Sequence, residues 1–147
     1  MMPLSLKYFL LVWSAIFVIL IPVQLYVSVP YGRHTRDRWG LLISNKLGWI
    51  LMEGWAIPVF VIVYATHFNS HIYNLLFATL YLAHYVHRAF IYPLRIHTKG
   101  KKMPISIALS AIFFNSVNAG LNAWVLSRYA IYPEEYWKQI PFIIGII

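Results

Sequence analysis

The sequence contains no cysteine and very little charge. Without cysteine, disulfide frameworks, thiolate nucleophiles and Cys-based zinc or iron–sulfur sites are all excluded. Charged residues make up 11% of the 147 residues, and only four residues are acidic, whereas soluble domains carry about 25% charged residues. Hydrophobic residues account for 61% of the chain, and the mean hydropathy is +0.65. This balance argues against a water-soluble enzyme and predicts a membrane protein.

Four long apolar segments predict transmembrane helices. They cover residues 8–29, 47–66, 71–93 and 104–126, and at about 1.5 Å per residue each can cross a bilayer core of about 30 Å. A fifth segment, residues 140–147, is too short to span. We therefore predict an all-α polytopic membrane protein, a single membrane domain over residues 1–147 with four complete transmembrane helices and the start of a fifth.

The first apolar segment has a second interpretation, as a signal peptide. A cleaved signal usually has an apolar core of about 7–15 residues followed by a small-residue cleavage site. Here the apolar segment is longer, and Val-Pro-Tyr-Gly follows it. An uncleaved anchor is therefore favoured.

Basic residues are unevenly divided between the two ends of the predicted helices. The loops before the second and fourth segments carry eight of them, and the opposite end carries three. The eight are Arg33, Arg36, Arg38, Lys46, Arg95, Lys99, Lys101 and Lys102, and the three are Lys7, Arg128 and Lys138. The positive-inside rule predicts that the first group is cytosolic and that the N-terminus is lumenal or external. Because these cations flank apolar spans, anionic lipid headgroups of the bilayer are the expected partner and nucleic acid is not.

Glu53 and Tyr85 are the strongest candidates for a functional pair. An ionisable residue inside a span costs about 2.5–3.5 kcal/mol on insertion scales, so it indicates function by default. Helical rise places Glu53 about 9 Å and Tyr85 about 12 Å from the same end of their helices. A carboxyl group kept neutral by burial and a phenol could both donate to one carbonyl oxygen. Alternatively, Glu53 pairs with Arg88 or a histidine to stabilise the helix bundle.

Other polar residues in the third and fourth segments leave alternatives open. Arg88 either neutralises a cofactor phosphate or reaches lipid headgroups. His84 and His87 are spaced i, i+3, but they lack matching carboxylates and give only a weak metal signal. Three asparagines on one face of the fourth segment either join helices through hydrogen bonds or line a cavity. They are Asn115, Asn118 and Asn122.

Several ordered motifs resemble the steroid 5α-reductase family. They are Tyr31-Gly-Arg-His-Thr35, Gly48-Trp-Ile-Leu-Met-Glu53 and His84-Tyr-Val-His-Arg-Ala-Phe-Ile-Tyr-Pro93. The likeness continues through Met103-Pro104, the stretch from Phe114 to Asn118-Ala-Gly120, and Ala130-Ile-Tyr-Pro133 with Tyr136-Trp137, so it covers nearly the whole chain.

The resemblance implies a seven-helix, NADPH-dependent reductase of the endoplasmic reticulum membrane with a lumenal N-terminus. Such an enzyme reduces the C4=C5 double bond of a 3-oxo-Δ4-steroid or related sterol, and Glu53 and Tyr85 would hold the C3 carbonyl. The resemblance also suggests four substrate-binding residues and, more weakly, Arg88 as a cofactor contact. The four are Tyr31, Trp49, Phe114 and Asn118.

The sequence departs from the family in lacking the Asn-x-x-Ser-Asp and Leu-Arg-x-Leu-Arg-x-Pro region, which supplies most NADPH contacts. We therefore expect an N-terminal portion of the enzyme, without reductase activity by itself, that associates with the missing C-terminal half or with a full-length homologue. The alternatives are an enoyl-CoA or polyprenol reductase of the same superfamily, and a catalytically inactive membrane subunit.

Overall fold

The computed structural model describes residues 3–26, 40–97 and 99–146. Most of these residues are helical. The α-helices are α1 (Leu4–Tyr26), α2 (Asn45–Gly54), α3 (Ala56–Thr66), α4 (Ile72–Val86), α5 (Tyr92–Arg95), α6 (Ile105–Arg128) and α7 (Ile140–Ile146). A π-helix (His87–Ile91), a 3₁₀-helix (Tyr136–Lys138) and two short strands, β1 (Leu42–Ser44) and β2 (Lys102–Pro104), complete the secondary structure.

Three helical segments are long and apolar enough to cross a membrane in the described part of the chain. They are Leu4–Val23, Asn45–Thr66 and Ile105–Arg128, which correspond to the first, second and fourth predicted spans. This agrees with a mostly helical membrane protein. The prediction of four complete spans is not met by this measure, and the seven-helix fold stays a prediction.

The third predicted span is helical but not a uniform α-helix. Helix α4 ends at Val86, a π-helix covers His87–Ile91, and α5 continues to Arg95. Pro93 lies at the start of α5, and in a regular α-helix its ring would clash with the carbonyl four residues earlier, that of Ala89. The wider π-helical turn at this point relieves that clash and interrupts the helix.

A two-stranded antiparallel sheet departs from the predicted all-α fold. Strand β1 pairs with β2 in the register Leu42↔Pro104, Ile43↔Met103 and Ser44↔Lys102. One further backbone hydrogen bond on each side of the ladder extends the pairing. Because each strand comes directly before a long helix, this ladder holds the starts of α2 and α6 together. The described ends of the two basic loops, with Lys46 and Lys102, therefore lie at one end of the molecule. Arg33, Arg36 and Arg38 lie outside the described residues, and the compartment that this end faces stays a prediction.

Small residues allow the central helices to pack closely. Ala56 of α3 and Ala119 and Ala123 of α6 are fully buried, together with Phe60. Small side chains let membrane helices approach closely enough for extensive van der Waals contact. Helix α1 lies at the periphery, where its Trp13 ring stacks on Phe114 of α6 at 6.2 Å. The core is therefore built from α2, α3, α4 and α6, and the polar residues of interest lie on these helices.

The end of the bundle opposite the strands is fixed by hydrogen bonds and aromatic rings. The Tyr73 hydroxyl donates to the carbonyl of Glu134 at 2.7 Å. The Asn74 amide donates to the carbonyls of Leu126 and Ala130 at 2.5 and 3.1 Å. These bonds tie α4 to the last turn of α6 and to the segment that follows it.

Candidate functional site

Glu53 and Arg88 form an ion pair inside the helix bundle. Glu53 lies on the buried face of α2, and Nη2 of Arg88 donates to its Oε1 at 2.6 Å. The Glu53 side chain is 9% exposed, whereas the Arg88 side chain is 41% exposed. The pairing alternative for Glu53 is therefore confirmed. The expected neutral, donating carboxyl group stays a prediction, since the contact with Arg88 engages only Oε1.

The Arg88 guanidinium also lies over the indole ring of Trp49. The guanidinium carbon lies 5.4 Å from the centre of the Trp49 ring, and the Tyr92 ring meets Trp49 edge-on at 5.1 Å. A cation over an indole face is attracted by the ring quadrupole. Nη2 of Arg88 is thus directed at Glu53, and the two expected roles of Arg88, as a phosphate contact or as a headgroup contact, stay predictions.

The Tyr85 hydroxyl lies in a second polar group, formed with two asparagines of α6. Asn118 donates to the Tyr85 oxygen at 3.0 Å, and the Tyr85 hydroxyl lies 3.4 Å from Oδ1 of Asn115. Asn115 also donates to the carbonyl of Met52 at 2.6 Å. The two open interpretations of the asparagine face therefore both apply, since Asn115 joins α6 to α2 by a hydrogen bond and Asn122 lines a cavity of about 380 Å³.

Glu53 and Tyr85 lie on helical faces that meet in the bundle, but their side chains are not hydrogen-bonded to each other. Tyr85 is buried at 8% exposure on the same helical run as Arg88, which contacts Glu53. Asn115 connects the residue before Glu53 to the Tyr85 hydroxyl. In the described part of the chain, no hydrogen bond joins Glu53 to Tyr85. The predicted pair therefore shares one polar region in which each member has its own partner.

Only some of the predicted substrate-binding residues lie in this polar region. Trp49 and Asn118 contact this region. Phe114 does not, because it packs against α1 through Trp13 and Phe17. One helical position separates it from Asn115, which rotates it to a different face of α6. Tyr31 lies outside the residues that the structure describes.

A cavity of about 360 Å³ adjoins the ion pair. It is lined by Trp49, His84, His87, Arg88 and Tyr92. Nε of Arg88 is buried and has no hydrogen-bond partner. Within the described ranges, no cluster of three or more metal-ligating side chains occurs. The two histidines therefore line an open cavity beside the guanidinium.

Asn115 and Tyr81 are residues of this site that the predicted set of site residues omitted. Both were visible in the sequence as polar residues at helical spacing from Asn118 and Tyr85. The spacing could not show which neighbouring helix they face. The contact of Asn115 with the Met52 carbonyl depends on how α2 packs against α6, which is a property of the tertiary structure.

Comparisons with known proteins agree with this arrangement of motifs. The chain is 35% identical over 126 residues to a tomato (Solanum lycopersicum) protein named steroid 5-alpha-reductase DET2, a match that covers 83% of this chain and 49% of the relative. It is 34% identical over 131 residues to the Arabidopsis thaliana protein of the same name, with the same coverage. The chain is therefore similar to members of the steroid 5α-reductase family over about half of their length.

The family likeness extends to animal relatives. The chain is 27% identical over 121 residues to a protein of Macaca fascicularis named 3-oxo-5-alpha-steroid 4-dehydrogenase 1, covering 80% of this chain and 46% of that protein. The chain spans about half the length of the curated relatives it matches. No protein-family profile matches the chain.

Proposed function

We propose that the protein contributes to a membrane-bound oxidoreductase that reduces the C4=C5 double bond of a 3-oxo-Δ4-steroid or a related sterol. The observation that carries this proposal is the buried Tyr85 hydroxyl, whose oxygen accepts a hydrogen bond from Asn118 in an apolar helix bundle. The names of the relatives support the reaction class. The endoplasmic reticulum, with a lumenal N-terminus, is the proposed location.

The chemistry of the reaction gives Tyr85 a role. When an enone takes up a hydride at C5 and a proton at C4, negative charge develops on the carbonyl oxygen at C3. A hydroxyl that donates to this oxygen stabilises the charge, and it acts most strongly where water is excluded. Because Asn118 donates to the Tyr85 oxygen, the hydroxyl proton of Tyr85 is directed elsewhere, and Oδ1 of Asn115 accepts it at a long 3.4 Å. We assign Tyr85 as the donor to the carbonyl.

Glu53 is proposed to act through Arg88 and not as a second donor. The carboxylate neutralises the guanidinium and fixes it at the polar end of the site. A neutral Glu53 could still accept from Arg88 through Oε1 and donate to the carbonyl through its other oxygen. The resemblance gives Glu53 a catalytic role as a donor to the carbonyl, which requires a neutral carboxyl group. A role as the anchor of Arg88 requires a charged one, and an experiment can distinguish the two.

NADPH is the reductant that the resemblance implies, and it would supply the hydride. The residues of this site do not fit its phosphate groups. In the described part of the chain the site offers one guanidinium, already offset by Glu53, with a single unused buried donor at Nε. Several phosphate charges require more cations than this. We propose that the phosphates are held by residues outside this cluster.

The test uses the protein expressed in its full natural reading frame, in microsomes from a host without steroid reductase activity. Product formation is measured with NADPH and a panel containing a Δ4-3-oxosteroid, a linear enoyl-CoA and a polyprenol-derived substrate. We expect reduction of the steroid, and a loss of about 10²-fold in kcat for Tyr85→Phe, because one donor to the oxyanion is removed. Reduction of only the acyl or polyprenol substrate would contradict the proposal.

Two further variants complete the test. Tyr129→Phe is the matched control, since no hydrogen bond of its hydroxyl is seen in the described residues, and we expect its activity to be unchanged. Glu53→Gln keeps a neutral side chain that can donate. Retained activity in Glu53→Gln would indicate that Glu53 acts as a neutral donor, whereas a loss would support its role as the anchor of Arg88.

A further inference from the structure

We propose that Asn115 is a positioning residue for the reaction: it ties the Tyr85 hydroxyl to the turn of α2 that carries Glu53 and so directs the Tyr85 proton toward the substrate carbonyl. This inference rests on the proposed function and deepens it. Asn115 acts through Tyr85 and is assigned no contact with the substrate.

The amide of Asn115 has only one orientation that fits its surroundings. Asn115 is buried at 5% exposure, and its side chain lies 2.6 Å from the carbonyl oxygen of Met52. A carbonyl oxygen only accepts hydrogen bonds, so the atom that faces it must be the Nδ2 donor. Oδ1 therefore faces Tyr85, whose hydroxyl donates to it at 3.4 Å. Turning the amide over would bring two acceptor oxygens together, so the backbone of α2 fixes the direction of Oδ1.

The other neighbours of the Tyr85 hydroxyl approach its oxygen. Nδ2 of Asn118 donates to this oxygen at 3.0 Å, and the Tyr81 hydroxyl hydrogen-bonds to the Tyr85 hydroxyl. A phenol has a single proton, and the Tyr85 proton is directed at Oδ1 of Asn115. Asn118 and Tyr81 thus hold the oxygen, whereas Asn115 sets the direction of the proton.

The length of the contact between Tyr85 and Asn115 suits a donor that must change acceptor. An O–H···O hydrogen bond is usually about 2.5–3.0 Å long, so a contact of 3.4 Å holds the proton weakly. A carbonyl oxygen that develops negative charge is a stronger acceptor than a neutral amide oxygen. Asn115 therefore aligns the hydroxyl before the substrate arrives and yields its proton when the charge develops.

The second contact of Asn115 lies in the turn that carries Glu53. Met52 is the residue before Glu53, and α2 ends at Gly54. Backbone carbonyls in the last turn of a helix depend on partners outside that helix, and Asn115 supplies one for Met52. A single side chain of α6 thus fixes this turn of α2 and the hydroxyl of Tyr85 on α4 relative to each other.

The experiment is a double-mutant cycle between Asn115→Leu and Tyr85→Phe, measured as steroid reduction with NADPH. The protein is expressed in its full natural reading frame in the microsomes described above. Leucine has a similar branched shape but cannot hydrogen-bond. We expect Asn115→Leu to lower kcat about 10-fold with KM little changed, less than the loss of about 10²-fold for Tyr85→Phe, because the donor remains but is no longer aligned. In the Tyr85→Phe background, Asn115→Leu should have no further effect on kcat, since no hydroxyl is left to position.

A matched control separates positioning from packing. Ser116→Ala removes the hydrogen bond from Nε1 of Trp55 to Oγ of Ser116, 2.7 Å long, which joins the same helices one residue after Asn115. We expect Ser116→Ala to lower Tm and to leave kcat unchanged.

Asn115→Thr keeps the test decisive if Asn115→Leu does not fold. A threonine hydroxyl in a helix can bond to the carbonyl four residues earlier, here that of Ala111, so the variant leaves its own polar group satisfied. It should show the same dependence on Tyr85 in the cycle.

The outcomes separate this inference from the proposed function. If either Asn115 variant lowers kcat by the same factor in the wild type and in Tyr85→Phe, Asn115 does not act through Tyr85 and the inference is wrong. An unchanged kcat in the Asn115 variants, or an equal loss in Ser116→Ala, would also overturn it. Each of these results leaves the proposed function intact, whereas a wild type that does not reduce the steroid would overturn the proposed function itself.

Discussion

Loss of Arg88 should destabilise the protein more than loss of its partner Glu53. Arg88→Met keeps a long side chain but removes the charge, and it leaves the carboxylate in a site where its side chain is only 9% exposed. Glu53→Gln leaves Arg88, whose side chain is 41% exposed and can reach water along its flexible stem. The burial of the remaining partner therefore determines the cost.

The magnitude follows from that asymmetry. Breaking a buried ion pair by removing one partner costs about 3–5 kcal/mol, and the partial exposure of the pair places Arg88→Met near 3 kcal/mol. Glu53→Gln should cost about 1 kcal/mol, the net value of a typical hydrogen bond. For a chain of this size 1 kcal/mol corresponds to about 2–4 °C in Tm. We therefore expect Tm to fall by about 6–12 °C in Arg88→Met and by about 2–4 °C in Glu53→Gln.

The measurement is thermal unfolding of the detergent-purified protein, followed by tryptophan fluorescence at neutral pH. The double variant Glu53→Gln/Arg88→Met serves as the control, because it removes both charges and should recover most of the loss seen in Arg88→Met. A larger fall in Tm for Glu53→Gln than for Arg88→Met would refute the reasoning. So would a double variant that is as unstable as the sum of the single variants.

Three other variants test the packing and the end of the bundle opposite the strands. Gly48→Ala should destabilise the protein by about 1–3 kcal/mol in chemical unfolding, because its Cβ would overlap the sulfur of the buried Met103; an unchanged midpoint would contradict this contact. Asn74→Ala, which removes two hydrogen bonds to the end of α6, should cost about 1–3 kcal/mol, and faster proteolysis after α6 should accompany it. Burial, and secondarily Tyr136, raises the pKa of Tyr132, so the folded state favours its neutral form. The stability that Tyr132 contributes is present below its unfolded pKa of about 10 and is lost as pH rises through its higher folded value; Tyr132→Phe should therefore unfold at a higher pH in an alkaline titration, and an unshifted midpoint would count against it.

Composition and the spacing of apolar residues were sufficient to predict the membrane class and the position of most helices. Apolar runs of about 20 residues have few alternatives to helices in a bilayer, because each backbone polar group must be satisfied within its own segment. The charge count also predicted two basic loops at one end, and the β1–β2 ladder joins the residues directly before α2 and α6 at that end. The π-helix that interrupts the third predicted span before Pro93 was not predicted from the sequence.

The candidate site was predicted in part. Glu53 and Tyr85 stood out, since polar groups deep in an apolar segment need a partner. Their partners were not determined by the sequence. The same depth of Glu53 was consistent with a neutral donor and with an ion pair, and only the tertiary structure shows that Arg88 lies within 2.6 Å of its carboxyl group.

The sequence by itself determined which residues are available for chemistry and roughly how deep they lie, because helical rise converts residue number into depth. Rotation of each helix about its axis and the choice of neighbour were decided only in the tertiary structure. Phe114 was expected in the pocket and packs on α1, whereas Tyr81 was one of several aromatic residues and lies beside Tyr85 and Asn118. The physical reason is that helix rotation is set by the fit of whole faces, here the alanines of α6 against α3, and not by the preference of any single polar residue.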